Sequence, residues 1–268
     1  MSTTAPTSHQ EVRSDLIFDL GLHRGFDTEF YASKGFRVVG VEAVPSLAAS
    51  AAQRLAVYGD SVVVVNKALA ERSGEIVPFY TAPNHDDWGS LDRDMASKGV
   101  EDVVEVLVET MSLADLFEAY GVPRYVKCDL EGGDELFCRV LRKLLVKPPF
   151  ASTECNSLQQ FDDLLEAGYS YGQLVNQYMH PTVQAPEPAR EGAYLPCTFT
   201  HHMSGLFGLE LPSERWQPLH KVRDQYERWR LLQREAPHLA FGWVDVHVAQ
   251  PEALPDEVLV AIDQPVGS

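Results

Sequence analysis

The chain has 268 residues, enough for one large domain or a domain with a sizeable insertion, and 45% of them are hydrophobic, enough for a full core. No run reaches the roughly 18 apolar residues of a membrane span. A formal charge of −17, from 39 acids against 22 bases, sets the average field against a nucleic-acid backbone, and no Lys/Arg cluster makes a local basic groove.

Residues 1–12, MSTTAPTSHQEV, are polar, lack the apolar stretch of a signal peptide and are expected to form a flexible tail. Residues 16–45 follow as LIFDLGLHRGFDTEFYASKGFRVVGVEAVP. Leu16-Ile17-Phe18 and Val38-Val39-Gly40-Val41 have the length and composition of strands, and a helical pattern closed by Gly35 lies between them. The first run ends in Asp19, Gly21 and Gly25, the second in Glu42. Strand, glycine turn, helix, strand and acid make the opening βαβ unit of a doubly wound nucleotide-binding fold.

At Gly21 the chain must turn sharply, and a Cβ would block a ligand approaching the backbone. The free N–H groups and positive dipole end of the following helix suit a carboxylate or a phosphate. Glu42 is placed to accept both hydroxyls of a ribose. Dinucleotide enzymes favour G-x-G-x-x-G, whereas this chain reads Asp-x-Gly-x-x-x-Gly. An acid ahead of the first glycine repels a pyrophosphate and attracts the ammonium of an amino acid. S-adenosylmethionine (SAM) has that ammonium, a carboxylate and a ribose, and no phosphate. The unit is therefore expected to hold SAM. An unliganded βαβ unit is disfavoured because Asp19, both glycines and Glu42 fall in place together.

Residues 46–58 are alanine-rich and predicted helical, ending at Gly59. Val62 to Val65 are all β-branched and read as a central strand, leading into Asn66-Lys67-Ala68 beside the adenine. Residues 76–81 form a short strand behind a turn at Ser73-Gly74. Residues 82–91, APNHDDWGSL, read either as a loop closing over a ligand or as a surface loop anchored by Trp88. Residues 103–108 alternate as a strand. Ser112 with Asp115 forms a capping box for a helix through Tyr120, which Gly121-Val122-Pro123 ends. Residues 124–133, RYVKCDLEGG, are a strand closing in two acids and two glycines, followed by a helix over 134–145. Residues 150–155 are a strand carrying Glu154 near its tip. Asn156 or Ser157 caps the next helix, Gly168 closes it, and residues 169–175 are the sixth strand.

Residues 176–240 break the alternation with Pro/Gly-rich loops, the pair His201-His202 and a helix over about 213–234. That helix carries Trp216, Leu219, Tyr226, Trp229 and Leu232 on one apolar face, expected to pack on the domain, a homodimer contact being the alternative. Residues 242–250, GWVDVHVAQ, alternate strictly as a last strand. A sixth strand, an interruption and a last strand match the class I methyltransferase sheet, whose seventh strand inserts antiparallel beside the sixth. The four cysteines, Cys128, Cys138, Cys155 and Cys197, include no C-x-x-C pair; free thiols in a reducing cytoplasm are the simpler reading, disulfides the other.

DLGLHRGFDTEFY, VEAVP, VKCDLEGGDELFCRVL and STECN together resemble the FkbM-type methyltransferases. The family signature looks like Lys-x-Asp-x-Glu-Gly-x-Glu, matched by Lys127, Asp129, Glu131 and Gly132; Gly133-Asp134-Glu135 adds one acid, so two carboxylates compete for the last position. The resemblance spans about 16–176, and FGLEL and WVDVH are similar to segments of some members. It implies an α/β, Rossmann-like class I fold with a last antiparallel strand and a C-terminal insertion. It also implies a SAM-dependent methyltransferase acting most often on oxygen, in sugars, polyketides or other secondary metabolites. The cofactor contacts it implies are Asp19, Gly21, Gly25, Thr28, Glu42, Ala43, Lys67, Ala68 and Ser90. Against these stand plain readings: Asp27 and Thr28 as helix caps, Lys67 as a solvated charge. His23, in the glycine turn, is expected to line the cofactor.

The expected organisation is a tail (1–12), a SAM-binding core (13–175), an insertion forming an acceptor cap (176–240), and a last strand with its tail (241–268). The sulfonium methyl is already activated, so the protein must align a nucleophile behind it and exclude water. A hydroxyl needs a base during transfer, a carboxylate only positioning. Asp129, Glu131 and Glu154 sit at strand tips, where ligands of such sheets bind. Asp129 is expected nearest the methyl, as acceptor anchor, base or ammonium contact. Glu131 is read either as catalytic or as orienting its loop. The same acids offer Mg²⁺ oxygen ligands as an alternative. His201 and His202 are candidate bases in the insertion, His180 and His23 weaker ones. Phe207, Trp216 and Tyr178 are read as an acceptor wall or as core. The expected partner is a small-molecule acceptor, with no nucleic acid and no membrane. A nicotinamide oxidoreductase and a non-catalytic protein on the same fold are the competing functions.

Overall fold

The computed structural model describes residues 11–82, 84–97, 99 and 102–263, so residues 1–10 of the expected tail and 264–268 of the last segment lie outside the described residues. The chain runs β1 (Val12–Leu20), α1 (Phe26–Ser33), β2 (Arg37–Val41), α2 (Pro45–Leu55), β3 (Val62–Val65), β4 (Ala68–Ala70), β5 (Ile76–Ala82), β6 (His85–Ser90), α3 (Arg93–Ser97), β7 (Val104–Ser112) and α4 (Leu113–Tyr120). It continues through β8 (Val122–Cys128), α5 (Asp134–Leu141), β9 (Phe150–Glu154), α6 (Leu158–Glu166), β10 (Tyr171–Asn176), β11 (Gln217–Pro218), α7 (Leu219–Glu235), β12 (Val244–Ala249) and α8 (Asp256–Asp263).

The main sheet has the order β11-β10-β12-β9-β8-β1-β2-β3. Strands β3, β2, β1, β8 and β9 are mutually parallel, and β12 inserts antiparallel between β9 and β10. This is the Rossmann-like class I methyltransferase arrangement with its reversed strand. A second sheet, β4-β7-β5-β6, stands beside the first.

Several sequence expectations are corrected. The valine run of β3 sits at the sheet edge, not its centre, because β-branched residues report a pleated, half-buried surface rather than a central place. The segment read as a loop over 82–91 contains β6, whose hydrogen bonds come from pairing with β5 (Tyr80 opposite Ser90), a partner its own composition does not announce. The long helix starts at Leu219 rather than 213. Pro218 holds extended backbone and forces Gln217 out of the helical region, so these two residues form β11 instead. The expected tail after the last strand contains α8, and α5 stops at Leu141.

Local signals hold the ends. Ser112 Oγ accepts the Asp115 N–H at 3.2 Å and caps α4. The return half of that box is relayed: the Ser73 hydroxyl donates to the Asp115 carboxylate, and the Ser112 N–H donates to Ser73 Oγ at 2.8 Å. Before α6, Gln160 Oε1 accepts the N–H groups of Asn156 and Ser157 at 2.6 and 2.9 Å.

Strand alternation splits the core into two. Leu16, Phe18, Leu20, Val126, Cys128, Val246 and Val248 face α4, α5, α6 and α7. The apolar side of α7 (Leu219, Val222, Tyr226) is spent there, as expected for packing on the domain. On the other face Ile17, Tyr125 and Phe150 meet α1, α8 and the segment carrying Phe199, Phe207 and Trp216. Phe207, fully buried, stacks on Tyr125 at 5.1 Å and meets Tyr31 edge-on at 4.9 Å. Phe207 and Trp216 are thus core, while Tyr178 is exposed.

Candidate functional site

One cavity of about 650 Å³ opens at the carboxyl ends of β1, β2, β8 and β9. Its size lies within the roughly 300–1,000 Å³ usual for small-molecule sites. The turn after β1 forms one wall. Gly21, at φ 85°, is required there, but by the protein itself: a Cβ would lie 1.7 Å from the Asp129 carbonyl oxygen. The close approach is backbone against backbone, locking the β1 turn to the Asp129 N–H, which donates to Leu20 O at 2.9 Å. Gly25, at φ 74°, starts α1 without any side-chain cap.

Behind this turn lies a buried ion cluster. Lys127 Nζ is 3.2 Å from Asp19 Oδ1, 3.4 Å from Asp27 Oδ2 and 3.8 Å from Asp129 Oδ2, and it donates to Gly21 O at 3.2 Å. Burial pushes the ammonium down, but Asp19, Asp27 and Asp129 together raise it well above its ordinary value. Thr28 Oγ1 donates to Asp19 Oδ2 at 2.7 Å, and Asp27 accepts the Ser204 N–H at 2.9 Å. Burial lifts Asp27 to about 6, against the pull of Lys127 and the Ser204 bond. Neither Asp27 nor Thr28 caps the helix. Asp19 and Thr28 stand behind the cavity wall, not on it. The cation that Asp19 meets is Lys127.

Glu42 lines the cavity at the tip of β2. Its Oε2 accepts the His23 N–H and its Oε1 the Val44 N–H, both at 2.8 Å. Burial raises its carboxyl above the usual value despite those bonds. His23 (φ 49°), Ala43, Lys67, Ala68, Trp88 and Ser90 line the same half. Lys67 is paired with Glu109 and is not merely solvated.

The other half is acidic. Asp129, Glu131 (φ 47°) and Glu154 all line it, as do His201 and His202, whose rings lie 3.9 Å apart with His202 stacked on Phe26. His180 does not line it: burial depresses this imidazole to about 4, and its ring meets the Gln177 amide. The structure adds Asp245, Gln177 and Trp243, which sequence reasoning missed. The signal was present in WVDVH: alternation puts Asp245 and His247 on one face, between buried valines. Asp134 is also buried; desolvation, then the Asp129 charge, raise its carboxyl to about 7, while Thr153, Leu130 and Gly132 donate to it.

No group of three or more His, Cys, Asp or Glu side chains among the described residues is arranged to hold a metal ion, so the Mg²⁺ alternative finds no ligand set. The donor set does fit SAM: a carboxylate at the β2 tip, a glycine turn and apolar walls at Ala68 and Trp88, while two of the lining cations, Lys67 and Lys127, are paired with Glu109 and Asp19. Among the described residues no helix is long and apolar enough to cross a membrane.

Among solved structures, a precorrin-6y C5,15-methyltransferase from Geobacter metallireducens is similar at 9% identity, with a TM-score of 0.38, over 88% of this chain and 79% of that one. A SAM-dependent O-methyltransferase from Thermotoga maritima is similar at 11% identity and TM-score 0.35, over 88% and 59%. A phosphoethanolamine N-methyltransferase from Haemonchus contortus, solved with SAM, is similar at 16% identity and TM-score 0.37, over 88% and 49%. No curated protein matches. The methyltransferase FkbM domain matches residues 19–171, from the acid of the first turn to the start of β10. The chain belongs to the FkbM methyltransferase family and is a SAM-dependent methyltransferase.

Proposed function

We propose that this methyltransferase methylates a hydroxyl oxygen of a small-molecule acceptor, a sugar or another secondary metabolite, in the cytoplasm. The observation that carries the reading is the two-ended cavity: a glycine-turn and Glu42 half suited to adenosine, continuous with a half lined by Asp129, Glu154 and Asp245. Bound SAM supplies an activated methyl group. Glu42 would take the ribose hydroxyls, the Gly21–Gly25 backbone the amino-acid end, and Ala43, Lys67, Ala68 and Ser90 the adenine side. Lys127, by holding Asp19 and Asp27, keeps the turn in place. Asp129, Glu131 and Glu154, with His201 and His202, would line the acceptor.

A carboxylate acceptor is disfavoured, because that half already concentrates negative charge. The formal charge of −17 disfavours nucleic acid as acceptor. Four free cysteines, three of them buried, accord with a reducing compartment. Titration calorimetry with S-adenosylhomocysteine (SAH) and with NAD tests the cofactor half; binding of NAD in place of SAH overturns it. Incubation with methyl-labelled SAM and an alcohol panel tests the acceptor half, and label appearing only as methyl ester or methylamine overturns it.

A further inference from the structure

Asp245 has no assigned task, and its surroundings give it one. It lies in β12, opposite Glu154 of β9 and Val175 of β10, is 7% exposed and lines the cavity. Among the described residues no hydrogen bond or ion pair reaches its carboxylate. The charged groups acting on it are Asp129 and Lys127 at the end of β8, Glu154 on β9 and Asp134 on α5, and the lone cation among them is engaged by Asp19 and Asp27. Burial first, then these acids, hold its carboxyl well above the usual range.

Gln177 gives a second, independent sign. It is 4% exposed, lines the same end of the cavity, and its amide nitrogen has no partner among the described residues. Buried polar groups are almost always hydrogen-bonded, so an unpartnered acceptor and an unpartnered donor on two residues of one cavity wall match a ligand group that both donates and accepts. A hydroxyl does so. A carboxylate only accepts. An ammonium only donates, and the acids would hold it protonated, without the lone pair that attacks. The rim adjoining this end is apolar: Trp243 lines the cavity, and Tyr178 and Phe241, 62% and 50% exposed, pack edge to face at 5.4 Å beside it.

We propose that Asp245 binds the acceptor's hydroxyl and takes its proton, and that the acceptor is an uncharged alcohol carried on an apolar body that lies over Trp243. This deepens the O-methylation reading and rests on it. The acceptor oxygen attacks the methyl carbon, and the carbon–sulfur bond breaks with its electron pair left on sulfur. The O–H proton passes to the Asp245 carboxylate, leaving a methyl ether, a neutral thioether and a neutral carboxylic acid.

The test uses the full chain with SAH and three probes of one scaffold: 2-phenylethanol, 3-phenylpropanoate and 2-phenylethylammonium. Ligand-observed NMR on the wild-type SAH complex is expected to detect the alcohol and not the propanoate. Asp245→Asn is expected to keep SAH affinity and to melt at or above the wild-type temperature, because it removes a charge that burial penalises. It should also form the methyl ether of 2-phenylethanol about 100-fold more slowly. Alcohol binding to wild type should tighten as pH rises through the Asp245 ionisation, and in Asp245→Asn it should not. Equal binding of the propanoate, preferred methylation of the amine, no binding of the alcohol, or wild-type turnover in Asp245→Asn each overturns the proposal. Failure of wild type to bind SAH would instead remove the cofactor reading beneath it.

Discussion

Replacing Lys127 with Met keeps the reach of the side chain and removes its charge. In the folded chain that charge sits 3.2 Å from Asp19 and 3.4 Å from Asp27, with all three side chains at most 6% exposed. Each contact carries about 5 kcal/mol of Coulomb energy at an effective dielectric constant of about 20, and desolvation of the ammonium offsets much of it. Losing one partner of a buried pair costs about 3–5 kcal/mol, a large part of the roughly 5–15 kcal/mol that holds a domain folded. With an unfolding entropy of about 2.1 cal/mol/K per residue over 268 residues, Lys127→Met should lower Tm by about 5–9 °C.

The loss should depend on pH. Asp27 is raised to about 6, so its protonated form favours the fold, and that contribution fades as pH rises through 6. Without Lys127 the carboxyl rises further, so the deficit is greatest near pH 8 and shrinks toward pH 5, where Asp27 takes a proton instead. Thermal unfolding followed by circular dichroism at both pH values reads this directly, and adding Asp27→Asn to Lys127→Met should recover part of the loss. A drop of under about 2 °C at pH 8, or equal drops at both pH values, would refute the idea that this lysine holds the glycine turn by charge.

Gly21→Ala places a methyl 1.7 Å from the Asp129 carbonyl at a φ of 85°; the backbone conformation alone costs about 1–2 kcal/mol, and the β8 loop must move, so calorimetry should find SAH affinity reduced about tenfold or more. Glu42→Gln should weaken SAH by about tenfold with Tm unchanged or higher, since burial already disfavours the ionised form; unchanged affinity would take Glu42 out of ribose binding. Methyl transfer should be unaffected by EDTA, and a loss restored by Mg²⁺ would mean that the acids converge on a cation after all.

The glycine-turn wall of the cavity was legible in the sequence because its demands are local. A turn needing positive φ names Gly21 and Gly25, and an acid at a strand tip names Glu42. What Gly21 avoids was not legible, since Asp129 lies far along the chain and only the β1–β8 pairing brings its carbonyl close. The partner of Asp19 was hidden for the same reason: its attraction for a cation is plain in the motif, but Lys127 is brought beside it only by the β1–β8 register. Asp245 was not legible because ligands of such sheets bind beyond the carboxyl ends of the parallel strands, and β12 runs the other way, bringing its amino end to the cavity.

That reversed strand completes a pattern across the sheet. Ile17, Tyr125, Phe150, Ala249 and Tyr171 form one register row, apart from the two tyrosine hydroxyls wholly apolar. The next row on the same face is Asp19, Lys127, Ser152, His247 and Gln173, all buried and all polar. Beyond it project Glu154 and Asp245. A row of buried polar groups is costly wherever a member is left unsatisfied, and such rows are expected where a site needs them. On the proposed chemistry the site does need them. Methyl transfer removes the positive charge of the sulfonium, and fixed carboxylates by themselves oppose that loss because they stabilise the cation. Asp129 and Glu154 also raise the carboxyl of Asp245. As the sulfonium charge disappears, the acceptor's proton delivers an equal charge to Asp245, so the acids that would retard transfer to a carboxylate favour transfer to an alcohol.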